Sequence, residues 1–300
     1  MLVMDTPTCV RVMIAGCVFA LCFNGMTLAQ HDLVAIRAFR KQYSAALEEI
    51  ETHYSQIRCS ADARAVSQDQ PSRAHFTYAA NGRSFRMVIS NPQASGKAPT
   101  GTAFVRTADD VLCHLSRSSD SKEWIVERRG LPDSVLFSLR MEVFPVFCPY
   151  YIGPWRIAEL LKNPDFRLIS VINSVDALGK KVHVEWECLF KERRGEQDIT
   201  TRGAGWFEVR PEMKWVMTAY ELGYNPGAAD FFCYRATVEY SSSGVGVPLV
   251  AAAEYWRELG ADRVRDNVHA FGRVQMEHVV LPSTDFALSS FGIADSPTGR

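Results

Sequence analysis

The stretch that decides the fold of this 300-residue chain is Val182-His-Val-Glu-Trp-Glu-Cys-Leu-Phe-Lys191. Apolar and polar side chains alternate along it with a period of two, which is the period of a β-strand with one dry face and one wet face. The apolar set comprises Val182, Val184, Trp186, Cys188 and Phe190. Antiparallel sheets commonly show this alternation, because one face packs on the core while the other meets water.

The same alternation recurs on both sides of this stretch. On the N-terminal side, two strands flank Asn81-Gly82, a dipeptide typical of tight hairpins because both residues tolerate positive φ. We predict further strands at Ala103–Thr107, Val111–Ser116 and Glu123–Glu127. On the C-terminal side, we predict strands at Trp206–Arg210, Lys214–Leu222, Phe232–Tyr240, Val247–Arg257 and Arg263–Val280.

An amphipathic helix precedes the strands. Apolar residues recur at steps of three and four over residues 33–54, which places them on one helical face. This face comprises Leu33, Ile36, Phe39, Tyr43, Ala46, Leu47, Ile50 and Tyr54. Asp32 has the chemistry of an N-cap. The helix is therefore predicted to pack by one stripe against a larger element.

Residues 131–163 interrupt the strand pattern. Short helices are predicted from Asp133 to Arg140 and from Pro154 to Lys162, since proline is favoured in the first helical turn. Between them lies an apolar segment, residues 143–153, which Pro145 and Pro149 exclude from an interior strand. We expect this segment to be a lid or plug over a core.

Together these elements predict an α+β fold with a curved antiparallel sheet, an incomplete β-barrel. The N-terminal helix and the mid-chain helices serve as its lid, because the apolar face of such a sheet must be covered. We predict one half-barrel domain over residues 30–300, with a helical insertion at about residues 131–163.

The first 29 residues have the pattern of a secretory signal peptide. Arg11 precedes twelve uncharged residues, Val12–Phe23, and small residues follow up to Ala29. The apolar run is shorter than the roughly 20 residues that span a bilayer. We predict cleavage near Ala29 and export to the periplasm or the extracellular space. The alternatives are an uncleaved anchor and a lipoprotein modified at Cys17.

Charge and cysteine content limit the classes of function. The net charge of −1 provides no basic surface for nucleic acid. After Ala29 the chain contains Cys59, Cys113, Cys148, Cys188 and Cys233, without C-x-x-C spacing, so that no zinc site is predicted. Buried free thiols and one disulfide bridge both remain open. No cofactor and no metal is predicted.

No nucleotide loop, nucleophile elbow or zinc-binding helix occurs in the sequence. The best acid–base set is His183 with Glu185 and Glu187, which a strand would place on one face. The competing interpretation, a solvent-facing polar row, is the commoner one. We therefore predict no catalytic residue, and a hydrolase based on His183 is the least favoured function.

The pattern resembles the LolA-like superfamily, the fold of periplasmic lipoprotein carriers. The resemblance lies in the signal and the helix over residues 33–54, the hairpin Gly205–Trp215 with its following strand, the Val238–Leu249 strand-turn-strand and the ending Asp285–Gly292. It implies an incomplete antiparallel barrel whose helices plug an apolar cavity.

Two functions follow from this reading. The first is a non-catalytic, exported cell-envelope protein that binds a lipid, a lipoprotein or another apolar ligand such as an acyl chain. The second is a structural module with a fully packed core and an envelope protein as partner. For the first, the predicted ligand-binding residues are Trp186, Phe190, Phe207, Tyr220, Tyr234, Tyr240, Phe144 and Phe147. Tyr255 and Trp256 complete the aromatic set of the strands.

Overall fold

A computed structural model describes residues 33–67, 70–91, 100–118, 121–136, 143, 147–194, 197–225, 231–241, 246–260 and 263–294. The predicted signal peptide, the Asp32 cap and Phe144 lie outside these residues. Helix α1 covers residues 33–54, as predicted. Its buried stripe begins at Phe39, because Leu33, predicted to belong to the stripe, is 54% exposed.

Fifteen strands follow α1 in the described chain. In chain order they are β1 (Gln56–Ser67), β2 (Gln70–Asn81), β3 (Ser84–Asn91), β4 (Thr100–Arg106), β5 (Leu112–Arg117), β6 (Ile125–Arg129), β7 (Tyr151–Ile152), β8 (Trp155–Arg156), β9 (Phe166–Asp176), β10 (Gly179–Arg194), β11 (Gln197–Arg210), β12 (Val216–Tyr224), β13 (Phe232–Tyr240), β14 (Val250–Leu259) and β15 (Val264–His278).

Thirteen of these strands form one antiparallel sheet in the order β6-β5-β4-β3-β2-β1-β15-β14-β13-β12-β11-β10-β9. Every neighbouring pair except β1 and β15 is also consecutive in the sequence, so the chain builds one half outwards from the centre and the other half back towards it. Strands β6 and β9 form the two open edges, and the sheet is a curved half-barrel rather than a closed one. The predicted α+β class is confirmed.

Most predicted strands are present, but two strands were missed. They are β1, which pairs with β15 at the centre of the sheet, and β9, one of the edges. Strand β11 is also longer than predicted, since it begins at Gln197.

The second helix predicted for the middle of the chain, Pro154–Lys162, begins later than predicted. Tyr151–Ile152 pairs with Trp155–Arg156 around Gly153, whose φ is +55°, so Pro154 belongs to a tight turn. Helix α2 therefore begins only at Ile157 and ends at Lys162. A 3-10 turn, Asp133–Leu136, occupies the described part of the other predicted helix.

The two faces of the sheet are covered by different elements. On the inner face, helix α1, helix α2 and the segment before α2 form one apolar core with the strands. On the outer face, the 3-10 turns Ser283–Phe286 and Leu288–Phe291 pack on the half that contains β2 to β5. Residues 147–162, hereafter the lid, lie on the inner side.

Candidate functional site: the lid and the inner face of the sheet

Helix α1 covers the inner face with aromatic rings. The Phe39 and Tyr43 rings lie 6.1 Å and 5.7 Å from the ring of Phe207 on β11. Both also contact Trp215, at 6.0 Å and 6.2 Å between ring centroids. Phe39 and Tyr43 were predicted only as members of the packing stripe of the helix. In the structure they are part of the aromatic set that fills the half-barrel.

The lid adds a second group of rings to the same face. Phe147 stacks on Tyr78 of β2 with 6.3 Å between centroids and meets Phe271 of β15 edge-on at 5.5 Å. Farther along, Trp155 stacks on Phe190 of β10 at 4.8 Å, with the ring planes within 8°. The lid therefore contacts strands on both sides of the half-barrel.

Side chains, rather than backbone ladders, attach the lid to its surroundings. Among the described residues, no hydrogen bond between two backbone groups joins residues 147–162 to a strand of the large sheet. The charged contacts run to helix α1, where Arg156 pairs with Glu51 and Arg40 donates to the carbonyl of Leu161. The pairing within the sheet therefore does not depend on the lid.

A cleft of about 500 Å³ opens where the lid meets β2, β3 and the end of helix α1. Its apolar wall combines Tyr78 and Phe85 of the sheet with Tyr150 and Tyr151 of the lid. Its polar rim is formed by Glu51, Arg83, Arg106, Asp133, Arg156 and Glu159. The volume lies within the range of small-molecule sites, about 300–1,000 Å³.

The rim charges compensate one another. Arg106 pairs with Asp110 and with Asp133, and Arg156 pairs with Glu51. With three arginines and three carboxylates on the rim, the cleft offers no excess charge of either sign. The balance of charges therefore gives the cleft no preference for a free anion or a free cation.

Cys148 of the lid lies within this cleft lining and is buried. Burial raises the pKa of its thiol to about 12. The thiol is therefore neutral near pH 7, whereas a nucleophilic cysteine needs its thiolate form. Cys148 acts as a small apolar side chain and a weak hydrogen-bonding group, and the cleft has no activated nucleophile at this position.

The predicted ligand-binding residues that the structure describes lie together on the inner side, and most are fully covered. Trp186, Phe190, Phe207, Tyr220 and Phe147 are each at most 3% exposed. Tyr234 stacks on Tyr255, and the Tyr240 hydroxyl donates to the carbonyl of Met217. With the lid in place, these side chains pack on the protein itself and none lines the cleft.

One member of the aromatic set lies on the opposite face. Tyr255 and Trp256 are adjacent in β14, so their side chains point to opposite faces. Tyr255 belongs to the inner core, whereas the Trp256 indole N–H donates to Glu258 at 3.0 Å and its ring lies 4.0 Å beneath the guanidinium of Arg265. Trp256 is therefore excluded from an inner site.

The acid–base set does not assemble into a catalytic group. The nearest carboxylate to His183 is Glu208, at 3.3 Å from Nδ1, and the same carboxylate pairs with Lys181 at 3.0 Å. Glu185 accepts from Ser170, and Glu187 pairs with Arg202. The row follows the outer face of the sheet, as the polar-row interpretation predicts.

All five described cysteines are buried and free. Within the described ranges, no three His, Cys, Asp or Glu side chains are grouped so that they could hold a metal ion. In the same part of the chain, no helix is long and apolar enough to cross a bilayer.

The fold is similar to several solved structures. They include a LolA superfamily protein from Nitrosomonas europaea (11% identity, 82% of this chain and 97% of that chain covered, TM-score 0.44). A DUF1329 family protein from Desulfovibrio piger has 12% identity, 85% and 98% coverage and a TM-score of 0.48. A domain named for outer membrane lipoprotein sorting, from Vibrio parahaemolyticus, has 9% identity, 88% and 99% coverage and a TM-score of 0.40.

A LolA superfamily protein is thus among the structures that this chain resembles, as the sequence predicts. At sequence identities of 9 to 12%, these similarities describe the fold and not the function. No protein-family model matches the chain, and no curated protein is significantly similar to it.

Proposed function

We propose that this protein is an exported, non-catalytic cell-envelope protein that binds an apolar chain, such as the acyl chain of a lipid or lipoprotein, between the lid and the inner face of its half-barrel. Residues 30–300 act as one binding unit in this proposal. The observation that supports it most is the attachment of the lid, which packs on the sheet through side chains and shares no backbone ladder with it.

The energetics allow an exchange of the lid for a ligand, because the surface that the two bury is similar. Phe147 and Trp155 bury apolar rings on the inner face, and an acyl chain can bury similar surface in their place. Each buried CH₂ group contributes about 0.8 kcal/mol, and this interaction is non-directional. A chain of many methylene groups therefore binds without a sharp polar motif, in keeping with a sequence that contains none.

The cleft provides the entrance for this ligand. Its apolar wall lies between Tyr78 on the sheet and Tyr150 on the lid, and its rim carries balanced charges. An amphiphile can place its chain between the two walls and keep its polar head at the rim. Of the predicted residues, Phe190 lies under Trp155 and would contact the chain once the lid has moved away, whereas Phe207 would stay covered by helix α1. Trp186, Tyr220, Tyr234 and Tyr240 are the remaining candidates of the inner face.

Titration with cis-parinaric acid, a fluorescent fatty acid, tests the proposal. We expect saturable binding to the purified protein and tighter binding to Phe147→Ala, which removes a ring from the inner face. Leu288→Ala is the matched control, because Leu288 is 2% exposed but packs on the outer face. Absence of saturable binding, or an equal gain in the Leu288→Ala variant, would overturn the proposal.

A further inference from the structure

The two open edges of the sheet differ in how they are protected. Strand β6 has five residues, and three of them, Glu127, Arg128 and Arg129, are charged. Strand β9 has eleven residues, and no charged residue or proline occurs from Leu168 to Val175. Natural sheets usually protect an edge with short strands, charges or proline, since an unprotected edge pairs with another strand.

Strand β9 also exposes apolar side chains along its length. Ile169, Ile172 and Val175 are 50%, 54% and 75% exposed. Leu178, in the turn that follows β9, is 73% exposed. Single exposed apolar residues are ordinary, but four within ten positions place exposed apolar groups on both faces of one free edge, and such concentrations mark interaction surfaces.

A bulge sets the direction in which the β9 side chains point. Ser170 pairs with Glu185 and Leu168 with Trp186, so Ile169 is the extra residue. As a result Arg167, Ile172 and Asp176 all point to the outer face. Ile172 and Asp176 are an even number of positions apart, as residues on one face of a strand usually are, whereas Arg167 and Ile172 are an odd number apart because the bulge lies between them.

We propose that β9 pairs with β9 of a second copy of this chain, antiparallel and about a two-fold axis at Ile172. In this register Arg167 lies opposite Asp176 of the partner subunit, and Leu168 lies opposite Val175 of the partner subunit. The bulge of each strand lies opposite Ser174 of the other, so outer faces meet outer faces throughout. The two half-barrels then form one continuous sheet.

A second copy of this chain offers a strand that matches the β9 edge in length, side chains and charge. It supplies a strand of the same length, with an uncharged, β-branched centre. It also supplies opposite charges at the two ends, so antiparallel pairing brings Arg167 to Asp176 whereas parallel pairing would bring Arg167 to Arg167. Asp176 already accepts two hydrogen bonds from Arg210 and one from the backbone N–H of Leu178, and a carboxylate, with about four acceptor positions, has capacity for a further donor. Two-fold pairs are also the commonest form of oligomer.

Sedimentation velocity on the purified protein over a range of concentrations tests the proposal. We expect a monomer–dimer equilibrium, which Ile172→Lys shifts to monomer because two lysines would meet at the axis. The matched control is Ile125→Lys on β6, since Ile125 is 56% exposed and lies at the other edge. Both variants should keep the urea midpoint of the parent protein. A monomer at every concentration, or a dimer that survives Ile172→Lys, would overturn the proposal.

A cross-link then tests the register. Residues directly opposite in an antiparallel pair have Cα atoms about 4.5–5.5 Å apart, within the range that a disulfide spans. Copper phenanthroline, an oxidant, should therefore link two Ile172→Cys chains and leave Ile125→Cys unlinked. Equal cross-linking of both variants would contradict the register. Fatty acid binding does not enter either measurement, so this inference and the proposed ligand function fail independently.

Discussion

The guanidinium of Arg156, in the lid, lies 2.5 Å from the carboxylate of Glu51, on helix α1. Arg156 is 41% and Glu51 is 18% exposed in their side chains, so the pair is partly shielded from water. It joins the two elements that cover the inner face. This ion pair and the hydrogen bond from Arg40 to the carbonyl of Leu161 join the lid to the helix, while aromatic packing holds each of them to the sheet.

Breaking this pair should loosen the lid. We expect Glu51→Gln to lower the free energy of unfolding by about 1 kcal/mol, between the values for exposed and buried pairs. We also expect it to raise the affinity for cis-parinaric acid. Arg202→Gln is the control, because its pair with Glu187 lies on the outer face. Urea unfolding and the fluorescence titration measure both effects, and tighter binding by the control would contradict this account of the lid.

Phe207 should be essential to the inner core. It is fully buried and contacts Phe39 and Tyr43 of helix α1. We expect Phe207→Ala to lower the free energy of unfolding by about 3–5 kcal/mol, as is usual for the removal of a buried phenyl ring. Trp206 is its neighbour on the outer face. The control Trp206→Ala should lower the free energy of unfolding by only about 1 kcal/mol. Urea unfolding decides the matter, and similar losses for both variants would show that α1 does not dock at β11.

The elements that the sequence predicts are those with large alternating side chains, and the missed strands lack that signal for identifiable reasons. In β1 the inner positions include Ala61 and Ala63, whose small side chains hardly mark a dry face. In β9 the bulge at Ile169 reverses the alternation halfway along the strand. Both strands were therefore recognisable only from their pairing.

The candidate site was predictable in part. Alternation places Trp186 and Phe207 on the inner face, and both are buried there. What covers them depends on contacts between distant segments, such as Trp155 with Phe190, which no local pattern encodes. The cleft likewise arises where α1, the β2–β3 hairpin and the lid meet, so only the assembled fold defines it.

Gly205 should be among the least replaceable residues of the sheet. A Cβ atom at this position would lie 1.9 Å from the carbonyl oxygen of Glu221 on the neighbouring strand, so the backbone of β12 would have to move. We expect Gly205→Ala to lower the free energy of unfolding by about 3 kcal/mol, at the upper end of the range for overpacked sites. Gly272→Ala is the matched control in β15, since a Cβ there meets nothing within 4 Å. Thermal unfolding compares the two, and a neutral Gly205→Ala would contradict the close approach of β11 and β12.

Stability should fall as the solution becomes more acidic, because two imidazole rings stack where helix α1 meets β15. The rings of His53 and His278 lie 4.5 Å apart with 18° between their planes. Burial and the neighbouring His278 lower the pKa of His53 below its ordinary value of 6.5, and Glu49 only partly opposes this effect. The unfolded chain therefore binds a proton more readily than the folded one.

The sign of the pH dependence follows directly. A histidine with a lowered folded pKa favours the folded state fully above pH 6.5, and this contribution is lost as the pH falls from 6.5 through the folded pKa. We expect the urea midpoint to decrease over this interval and the decrease to be smaller in His53→Gln. Part of the pH dependence of the urea midpoint should remain in His53→Gln, since burial also lowers the pKa of His269. A wild-type midpoint that stays constant or rises on acidification below pH 6.5 would contradict the histidine stack as an acid-sensitive contact.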